Sequence, residues 1–331
     1  MFDLGPYNSF GMRIHAKKGV IIDDVSQLRR VNEDNIIILG NGSDVLFTDD
    51  YEGTVLINRI KNLEVENSGD DFIVRAGAGL VLDELIAGLL KENIYGLENL
   101  SAIPGTVGAT PIQNVGAYGV EIGDFITEVH VYDLQRHFIE IFDKELCQFA
   151  YRSSYFKTHR ERKLLITQVV FKLSSHFSPI LTYGGLNGKP FTSAMELREH
   201  IISLRTAKLP NPNIVGNAGS FFKNPIVSKE IVDKIINKYE NAPIYPVGEG
   251  KFKIAAGWLI EKAGCKGITH GNVGTWEKQA LVIVNRGDAK PHEVVALAKY
   301  IIQEVASKFG IKLEPEVRTY NAYGEITWDK L

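Results

Sequence analysis

Three polar residues stand in local contexts that suit proton transfer or the binding of a carboxylate. Ser220 follows a glycine and precedes two phenylalanines, so its hydroxyl could deliver a proton to a developing carbanion in a site that excludes water. Aromatic residues flank Arg152 in the sequence: Tyr151, Tyr155 and Phe156. A guanidinium that such rings enclose is suited to bidentate capture of a carboxylate. Glu316 follows a proline near the C-terminal end, and for all three residues a turn or surface role is the alternative.

Two glycine-rich segments are typical of loops that hold a phosphate with main-chain amides. Residues 99–120 carry no charge, although 23% of the chain is charged, and residues 39–47 resemble them apart from Asp44. Glycine lets N–H groups approach a ligand closely, and hydroxyl and amide side chains add further donors. Two such loops predict one large phosphate-bearing cofactor, with a buried structural loop as the alternative.

A third glycine segment, 75–82, lies between a predicted strand and a predicted helix, as a dinucleotide-binding fingerprint does. It has Gly77 and Gly79, but Leu82 replaces the third glycine, so we interpret it as a structural turn. The sequence has no phosphate-binding lysine after a glycine loop, no zinc-binding helix motif and no nucleophile elbow. We therefore expect neither a P-loop enzyme nor a metal site.

Composition excludes several classes of protein. The 331 residues are 44% hydrophobic, which predicts about two packed domains, possibly three. The net charge is −3 without a basic block, so a nucleic-acid partner is not expected. The N-terminal residues lack the apolar run of a signal peptide, and no apolar stretch reaches membrane-spanning length. We expect a cytoplasmic protein in which Cys147 and Cys265, far apart in sequence, are buried thiols.

The spacing of apolar residues predicts a mixed α and β chain with many short strands. Strands are predicted at 19–22, 36–39, 54–57, 72–75, 127–133, 137–142 and 165–173. Helices are predicted near 24–30 and over 81–91 and 193–206, followed by a proline-bearing break at 208–212. The predicted second part has helices at 228–239, 255–263 and 291–309, a strand at 280–285 and an extended tail over 313–328 that returns to the first domain.

Six motifs in one order carry a specific resemblance. They are GNGSDVLF, IPGTVGATPIQNVGAYG, YRSSYFK, GNAGSFFKNP, QALV and LEPEVR, and they extend over nearly the whole chain, from Asn8 to Arg318. Together they closely resemble the UDP-N-acetylenolpyruvoylglucosamine reductase family, flavoenzymes of bacterial peptidoglycan precursor synthesis. The resemblance implies an α+β fold, with an FAD-binding module of the vanillyl-alcohol-oxidase (PCMH) type in two subdomains and a C-terminal α+β substrate domain.

The resemblance also implies domain limits and site residues. Residues 1–58 with the returning tail 314–331 would form the first FAD-binding subdomain, 59–207 the second, and 208–313 the substrate domain. The family's catalytic positions fall on Arg152, Ser220 and Glu316. Its cofactor-binding positions fall on Gly40, Asn41, Gly42, Ser43, Asp44, Pro104, Gly105, Thr106, Gly108, Ala109, Gln113 and Asn114. Its substrate-binding positions fall on Tyr183, Lys208, Asn224 and Gln279.

Two departures from the family's pattern are visible. Asp44 stands where asparagine is usual, which places a carboxylate near the cofactor diphosphate. Ala109 and Thr110 stand where paired serines are common. Neither departure removes a catalytic group. Tyr183 matches a tyrosine that the family's longer type carries on a loop that closes over the nucleotide diphosphate.

The activity that the resemblance implies is reduction of an enolpyruvyl UDP-sugar by NADPH through non-covalent FAD. Ser220 would protonate the substrate, while Arg152 and Glu316 would stabilise the enolate. We expect a monomer whose partner is this small-molecule substrate. Two alternatives stay open: another flavin oxidoreductase of the same module, such as an alcohol or lactone oxidase, and a non-catalytic UDP-sugar-binding protein.

Overall fold

The structure, a computed structural model, describes residues 1–33 and 35–331. Short strands dominate these residues. The strands are β1 Phe2–Asp3, β2 His15–Ile22, β3 Ile36–Leu39, β4 Val45–Phe47, β5 Tyr51–Asn58, β6 Leu63–Ser68, β7 Asp71–Gly77, β8 Gly116–Ala117, β9 Val120–Glu121, β10 Ile126–Asp133, β11 Phe138–Asp143, β12 Leu164–Ser174, β13 Asn217–Ser220, β14 Ile226–Ser228, β15 Ile244–Pro246, β16 Lys251–Ile254, β17 Thr269–His270, β18 Val273–Thr275, β19 Val282–Asn285, β20 Arg318–Asn321 and β21 Gly324–Ile326. The α-helices are α1 Leu82–Lys91, α2 Tyr155–Thr158, α3 Ala194–Lys208, α4 Lys229–Ile236, α5 Ala256–Lys262 and α6 Pro291–Phe309.

The chain divides into two compact units. Unit 1 contains residues 1–16, 43–52 and 206–331, and unit 2 contains residues 17–42 and 53–205. This division follows the density of contacts, whereas the predicted division into 1–58 with 314–331, 59–207 and 208–313 follows cofactor and substrate roles. The latter division stays a prediction.

Unit 2 is built on a five-stranded antiparallel sheet with the order β11-β10-β12-β7-β6. Helix α1 buries one apolar stripe, including Leu85, Ile86 and Leu89, in the same core as Val74 and Val129 of the sheet. The stripe recurs every three to four residues, as a helix with one buried face requires. In the same unit β3 pairs in parallel with the second half of β5.

Unit 1 contains a four-stranded antiparallel sheet with the order β13-β19-β18-β17 and a three-stranded sheet with the order β14-β16-β15. Helix α6 begins at Pro291 and ends before Gly310, whose φ of 69° provides the left-handed cap that the sequence predicts. The C-terminal strand β20 pairs in parallel with β4, Thr319 opposite Leu46. The prediction that the tail returns to the first domain is confirmed.

Most predicted elements are found, with shifted ends. The short helix near residue 25 is a 3-10 helix, Val25–Arg30, because Asp24 caps it and its last backbone bond joins residues three apart. Helix α4 ends at Ile236, three residues before the predicted end. Helix α3 runs to Lys208, so the predicted break starts later. Among the described residues, no helix has both the length and the apolar character needed to span a bilayer.

Candidate active site

Within unit 2, residues 40–42 of the first predicted phosphate loop lie against the second loop. A Cβ added to Gly40 would lie 2.3 Å from Thr106 Oγ1, so only glycine allows the first loop to approach the second this closely. Arg59 Nη1 donates to the Gly40 carbonyl at 3.1 Å and supports the same turn. Gly42 and Gly105 have φ values of 64° and 125°, which favour glycine. This arrangement fits a narrow cradle of main-chain groups such as a diphosphate requires.

The second loop is packed onto the turn before α1. Gly108 N donates to the Ala78 carbonyl at 2.8 Å, and Val107 N to the Leu80 carbonyl at 2.9 Å. An added Cβ at Gly79 would lie 2.4 Å from the Cα of Arg59. The glycines of segment 75–82 therefore permit close backbone packing, and the interpretation of that segment as a structural turn is confirmed.

Both polar atoms of the Asn114 side chain form hydrogen bonds within the protein. Its Oδ1 accepts from Gly123 N at 2.9 Å, and its Nδ2 donates to Glu121 Oε2 at 2.6 Å and to the Ala150 carbonyl at 3.2 Å. The residue is 2% exposed. Asn114 therefore joins the second phosphate loop to the segment that carries Arg152.

Arg152 lies in a tight turn in which Ala150 and Ser153 exchange backbone hydrogen bonds of 3.1 and 3.0 Å. Its φ of 52° is left-handed, a strained conformation for an arginine and one found often at functional sites. Arg152 Nη2 donates to the Gly116 carbonyl at 2.9 Å, and Lys157 Nζ donates to the Arg152 carbonyl at 2.9 Å. The Lys157 contact holds the turn, and the Gly116 contact orients the guanidinium.

The predicted aromatic enclosure of Arg152 is wrong for two of its three rings. The guanidinium carbon lies 5.3 Å from the ring centroid of Tyr151, as expected. The rings of Tyr155 and Phe156 pack instead against Phe142, with centroid distances of 5.0 and 5.2 Å. These two side chains fill the core behind the turn because α2 begins at Tyr155 and turns them inward.

Ser220 and Glu316 lie on segments of unit 1 that are joined through their main chains. Glu316 N donates to the Phe221 carbonyl at 2.8 Å, and Phe222 forms a bridge with Pro315. Phe221 and Phe222 are 0% and 1% exposed, whereas Ser220 itself is exposed. The buried rings fix the segment and leave the hydroxyl accessible.

Charged side chains close in sequence to Ser220 and Glu316 form ion pairs within unit 1. Glu314 is 69% exposed in its side chain and forms an ion pair with Lys223. Arg318 makes a bidentate contact with Glu325, at 3.0 and 2.7 Å. Burial opposes the charge of Arg318, but Tyr320, Glu325 and Asp44 together raise its pKa. The Asp44 carboxylate thus has a cationic neighbour within unit 1.

Two predicted substrate residues meet at the first turn of α5. Asn224 Oδ1 accepts from Ala256 N at 2.8 Å, and an added Cβ at Gly257 would lie 2.5 Å from Gln279 Oε1. Gln279 Oε1 also accepts from Leu281 N at 3.3 Å. Lys208 is exposed at the end of α3.

Tyr183 is 47% exposed and lies on the segment 180–187 of unit 2, which we call the tyrosine loop. Its ring contacts the ring of Tyr118 edge-on, with 5.6 Å between centroids. Burial raises the pKa of Tyr118 despite its hydrogen bond with Arg205, whose own pKa burial lowers. Arg205 Nε also donates to the Ala102 carbonyl at 3.2 Å. The tyrosine loop therefore rests on the second phosphate loop.

Comparison with known proteins identifies the family. Residues 211–320 match the model described as UDP-N-acetylenolpyruvoylglucosamine reductase, C-terminal domain, and residues 11–136 match an FAD binding domain. The UDP-N-acetylenolpyruvoylglucosamine reductase of Salmonella typhi is 41% identical, over 98% of this chain and 97% of its own length. That of Escherichia coli O157:H7 is also 41% identical, over the same shares. The chain belongs to the UDP-N-acetylenolpyruvoylglucosamine reductase family.

A solved structure of this reductase family shows the same fold. The enzyme of Thermus caldophilus superposes with a TM-score of 0.69 and 22% identity over 96% of each chain. The fold is α+β, with an FAD-binding module of the vanillyl-alcohol-oxidase (PCMH) type. The predicted family and fold class are confirmed. The roles assigned to single residues stay predictions.

Several residues around the site escaped the sequence analysis. Asn99, Tyr118, Lys157 and Arg205 lie in motifs or helices whose spacing does not reveal tertiary partners. Arg205 occupies a helix position that is usually a surface position, and its partial burial beside Ala102 becomes evident only from the fold. Cys147 and Cys265 are free and buried, as predicted. Within the described residues no group of three or more His, Cys, Asp or Glu side chains could hold a metal ion.

Proposed function

We propose that this chain reduces the enolpyruvyl group of UDP-N-acetylglucosamine enolpyruvate to UDP-N-acetylmuramate, a step of peptidoglycan precursor synthesis. The curated relatives carry the reductase name and match over nearly their whole length, so the prediction of an FAD-dependent oxidoreductase is confirmed. The observation that carries the assignment in the fold is the hydrogen bond from Glu316 N to the Phe221 carbonyl. It keeps a hydroxyl and a carboxylate on adjoining segments.

The two glycine loops would hold FAD without a covalent bond, since neither contains histidine or cysteine. The close approach of Gly40 to the Thr106 side chain supports this fit, because it brings the two predicted phosphate loops together. FAD held there would, once reduced by NADPH, supply the hydride that the terminal methylene carbon of the substrate receives. The chain's own residues would stabilise the negative charge of the enolate and supply the proton.

The three catalytic positions divide the remaining work. Arg152 binds the substrate carboxylate, into which negative charge spreads as the enolate forms, and a guanidinium already oriented by its bond to the Gly116 carbonyl needs little reorganisation. Glu316, in its protonated form, stabilises the same charge. Ser220 gives its hydroxyl proton to the carbon that bears the carboxylate. The double bond thereby becomes a CH–CH3 unit, and one hydride and one proton are added.

The nucleotide half of the substrate requires groups away from the reacting carbon. Tyr183 would contact the diphosphate, and Lys208 would add a cation. Asn224 and Gln279 would contact the substrate from the start of α5, where they lie together. The proposed limits of the subdomains, 1–58 with 314–331, 59–207 and 208–313, separate these cofactor and substrate roles.

We also propose that the enzyme acts in the cytoplasm as a monomer. Two buried free thiols suit a reducing compartment. Sedimentation at assay concentration would test the monomer.

An anaerobic assay tests the function. Purified protein should carry yellow, non-covalent flavin and should consume NADPH only when the enolpyruvyl sugar is present, with one UDP-N-acetylmuramate formed for each NADPH. Parallel runs with NADH measure the nucleotide preference. In a separate aerobic run, flavin reduction by an alcohol or lactone followed by reoxidation by oxygen would instead identify an oxidase of the same module. A colourless preparation that FAD does not reconstitute would identify a UDP-sugar-binding protein.

A further inference from the structure

Strand β13 carries a β-bulge directly before Ser220. In its antiparallel pairing with β19, Asn217 lies opposite Val284. Ser220, three residues further along β13, lies opposite Val282, only two residues further along β19, so β13 contains one extra residue. Because side chains alternate between the two faces of a strand, one extra residue exchanges the faces of the residues that follow it. The bulge therefore sets the face that Ser220 occupies, and its side chain is exposed, whereas Phe221 is 0% exposed.

The side-chain amide of Asn217 closes this bulge. Its Oδ1 accepts from Gly219 N at 2.8 Å, and its Nδ2 donates to the Val215 carbonyl at 2.8 Å. Asn217 is 4% exposed, so these hydrogen bonds compete little with water. Gly219 has a φ of 68°, a left-handed conformation that glycine adopts without strain. The amide and the glycine together form the turn directly before Ser220.

The main chain on both sides of the bulge is held by bonds that do not involve the Asn217 side chain. Asn217 N donates to the Ser9 carbonyl at 2.8 Å. Phe221 N donates to the Leu281 carbonyl at 2.9 Å. Loss of the Asn217 amide should therefore change the conformation of residues 218–220 and leave the pairing of β13 with β19 in place.

We propose that Asn217 is a positioning residue that holds the bulge and thereby directs the Ser220 hydroxyl at the carbon that it protonates. This inference rests on the proposed function, in which Ser220 is the proton donor. Proton transfer requires the donor and the carbon to lie within hydrogen-bond reach, so a small displacement of the hydroxyl slows it strongly. Flavin reduction by NADPH takes no proton from Ser220, and its rate should not depend on Asn217.

Asn217→Ala in the FAD-loaded enzyme is the direct test. The substitution removes the acceptor of Gly219 N and the donor to the Val215 carbonyl. Rapid mixing should show flavin reduction by NADPH at the wild-type rate. Reoxidation by the enolpyruvyl sugar should be slower by about tenfold, because a displaced hydroxyl is a poorer donor but is still present.

A cycle of single and double variants separates positioning from a general structural role. If Asn217 acts through the Ser220 hydroxyl, Asn217→Ala should slow reoxidation by less than about twofold in an enzyme that already carries Ser220→Ala. A general structural defect would instead slow reoxidation by about tenfold whether or not the hydroxyl is present.

Gly219→Ala changes the same bulge but retains the Asn217 amide. A Cβ added to Gly219 meets nothing within 4 Å, so within the protein the substitution acts through the left-handed φ that alanine disfavours. Reoxidation should slow in this variant too, and again only when the Ser220 hydroxyl is present.

The turn at Asn67 and Gly69 in unit 2 offers matched controls. Asn67 Oδ1 accepts from Gly69 N at 3.2 Å, as Asn217 Oδ1 does from Gly219 N. Gly69 has a φ of 72°, and a Cβ added to it also meets nothing within 4 Å. Asn67→Ala and Gly69→Ala should leave both half-reactions at their wild-type rates.

Amide hydrogen exchange, followed by NMR, supplies a readout that does not depend on turnover. Gly219 N should exchange faster in Asn217→Ala, because it has lost its side-chain acceptor. Phe221 N, bonded to the Leu281 carbonyl, should keep its wild-type rate.

Three results would overturn the inference: wild-type reoxidation in folded Asn217→Ala, equal slowing with and without the Ser220 hydroxyl, and wild-type exchange at Gly219 N. Should Asn217→Ala not fold, the cycle of Gly219→Ala with Ser220→Ala decides. Faster exchange at Gly219 N, in a protein whose wild type does not reduce the enolpyruvyl sugar, would support the hold of Asn217 on the bulge and contradict the proposed function.

Discussion

The two units hold their candidate site residues by different means. In unit 1, the segments of Ser220 and Glu316 are joined main chain to main chain. In unit 2, buried amides of Asn114 and Asn99 hold the Arg152 turn and the tyrosine loop. A backbone pairing survives most side-chain substitutions, whereas a side-chain bridge depends on one residue. Substitutions of site residues in unit 1 should therefore change the rate of the chemical step, whereas substitutions of the bridging residues in unit 2 should change the positions of the groups that they hold.

The largest effect is expected from Ser220→Ala. The hydroxyl is exposed on a segment fixed by buried rings, so its removal should leave the fold intact. Rapid mixing should show flavin reduction by NADPH at the wild-type rate. Reoxidation by the enolpyruvyl sugar should be slower by on the order of a hundredfold or more, the usual contribution of a positioned proton donor.

Ser228→Ala is the control for the serine variant. Ser228 precedes α4 and its side chain makes no capping hydrogen bond, so both half-reactions should keep their rates. Equal slowing of the two half-reactions in Ser220→Ala would contradict the proton-donor role and assign Ser220 a structural one. That outcome would also contradict the expectation that substitutions of site residues in unit 1 affect the chemical step and not the structure.

Tyr183→Phe should weaken nucleotide binding without changing the chemistry. The ring can keep its edge-on contact with Tyr118, while the hydroxyl that would reach the diphosphate is lost. We expect the KM for the UDP-sugar to rise about tenfold, the order of a hydrogen bond to a charged group. Steady-state kinetics checks this, with Tyr323→Phe, at a 78% exposed position, as the control. An unchanged KM would count against Tyr183 as a nucleotide contact.

Sequence patterns predicted the elements that carry these groups better than the contacts between them. Apolar spacing revealed α1 and α6 because their buried faces are regular. The motif around Ser220 identified a hydroxyl beside buried rings. The predicted enclosure of Arg152 by Tyr155 and Phe156 was wrong, because α2 begins at Tyr155 and both rings pack against Phe142. Asn99 bonds to carbonyls 19 and 81 residues away, and no local pattern encodes such partners.

Asn114→Ala should affect both stability and the Arg152 turn. The substitution removes the side-chain oxygen that accepts from Gly123 N, and it leaves the Ala150 carbonyl with its bond from Ser153 N but without that from Asn114. We expect the free energy of unfolding in urea to fall by about 1–3 kcal/mol. Flavin reoxidation should slow by about fivefold, the order of a misplaced binding group. Wild-type stability with loss of FAD would instead make Asn114 a cofactor ligand and not a bridge.

The smallest effect is expected from Asp83→Asn, which changes a carboxylate that accepts from the backbone of the second phosphate loop at Ala102. Asp83 of α1 accepts from Arg198 Nη2 of α3 at 2.9 Å and from Ala102 N at 2.6 Å. Burial opposes ionisation, but the hydrogen bonds from Arg198 and Ala102 prevail and lower the pKa of Asp83. A carboxyl with a lower pKa in the folded state adds stability above its unfolded pKa, and this contribution is lost as pH falls through the folded pKa.

Asp83→Asn should therefore reduce the free energy of unfolding by about 1 kcal/mol near pH 7, since a third of the Asp83 side chain is exposed and its ion pair is partly screened. The difference from the wild type should shrink below about pH 4, as the carboxyl protonates in both states. Urea unfolding from pH 7 to pH 3 measures it. A difference that does not change with pH would mean that the neutral hydrogen bonds alone support Ala102. In that case the geometry of unit 2 would depend on amides and not on charge.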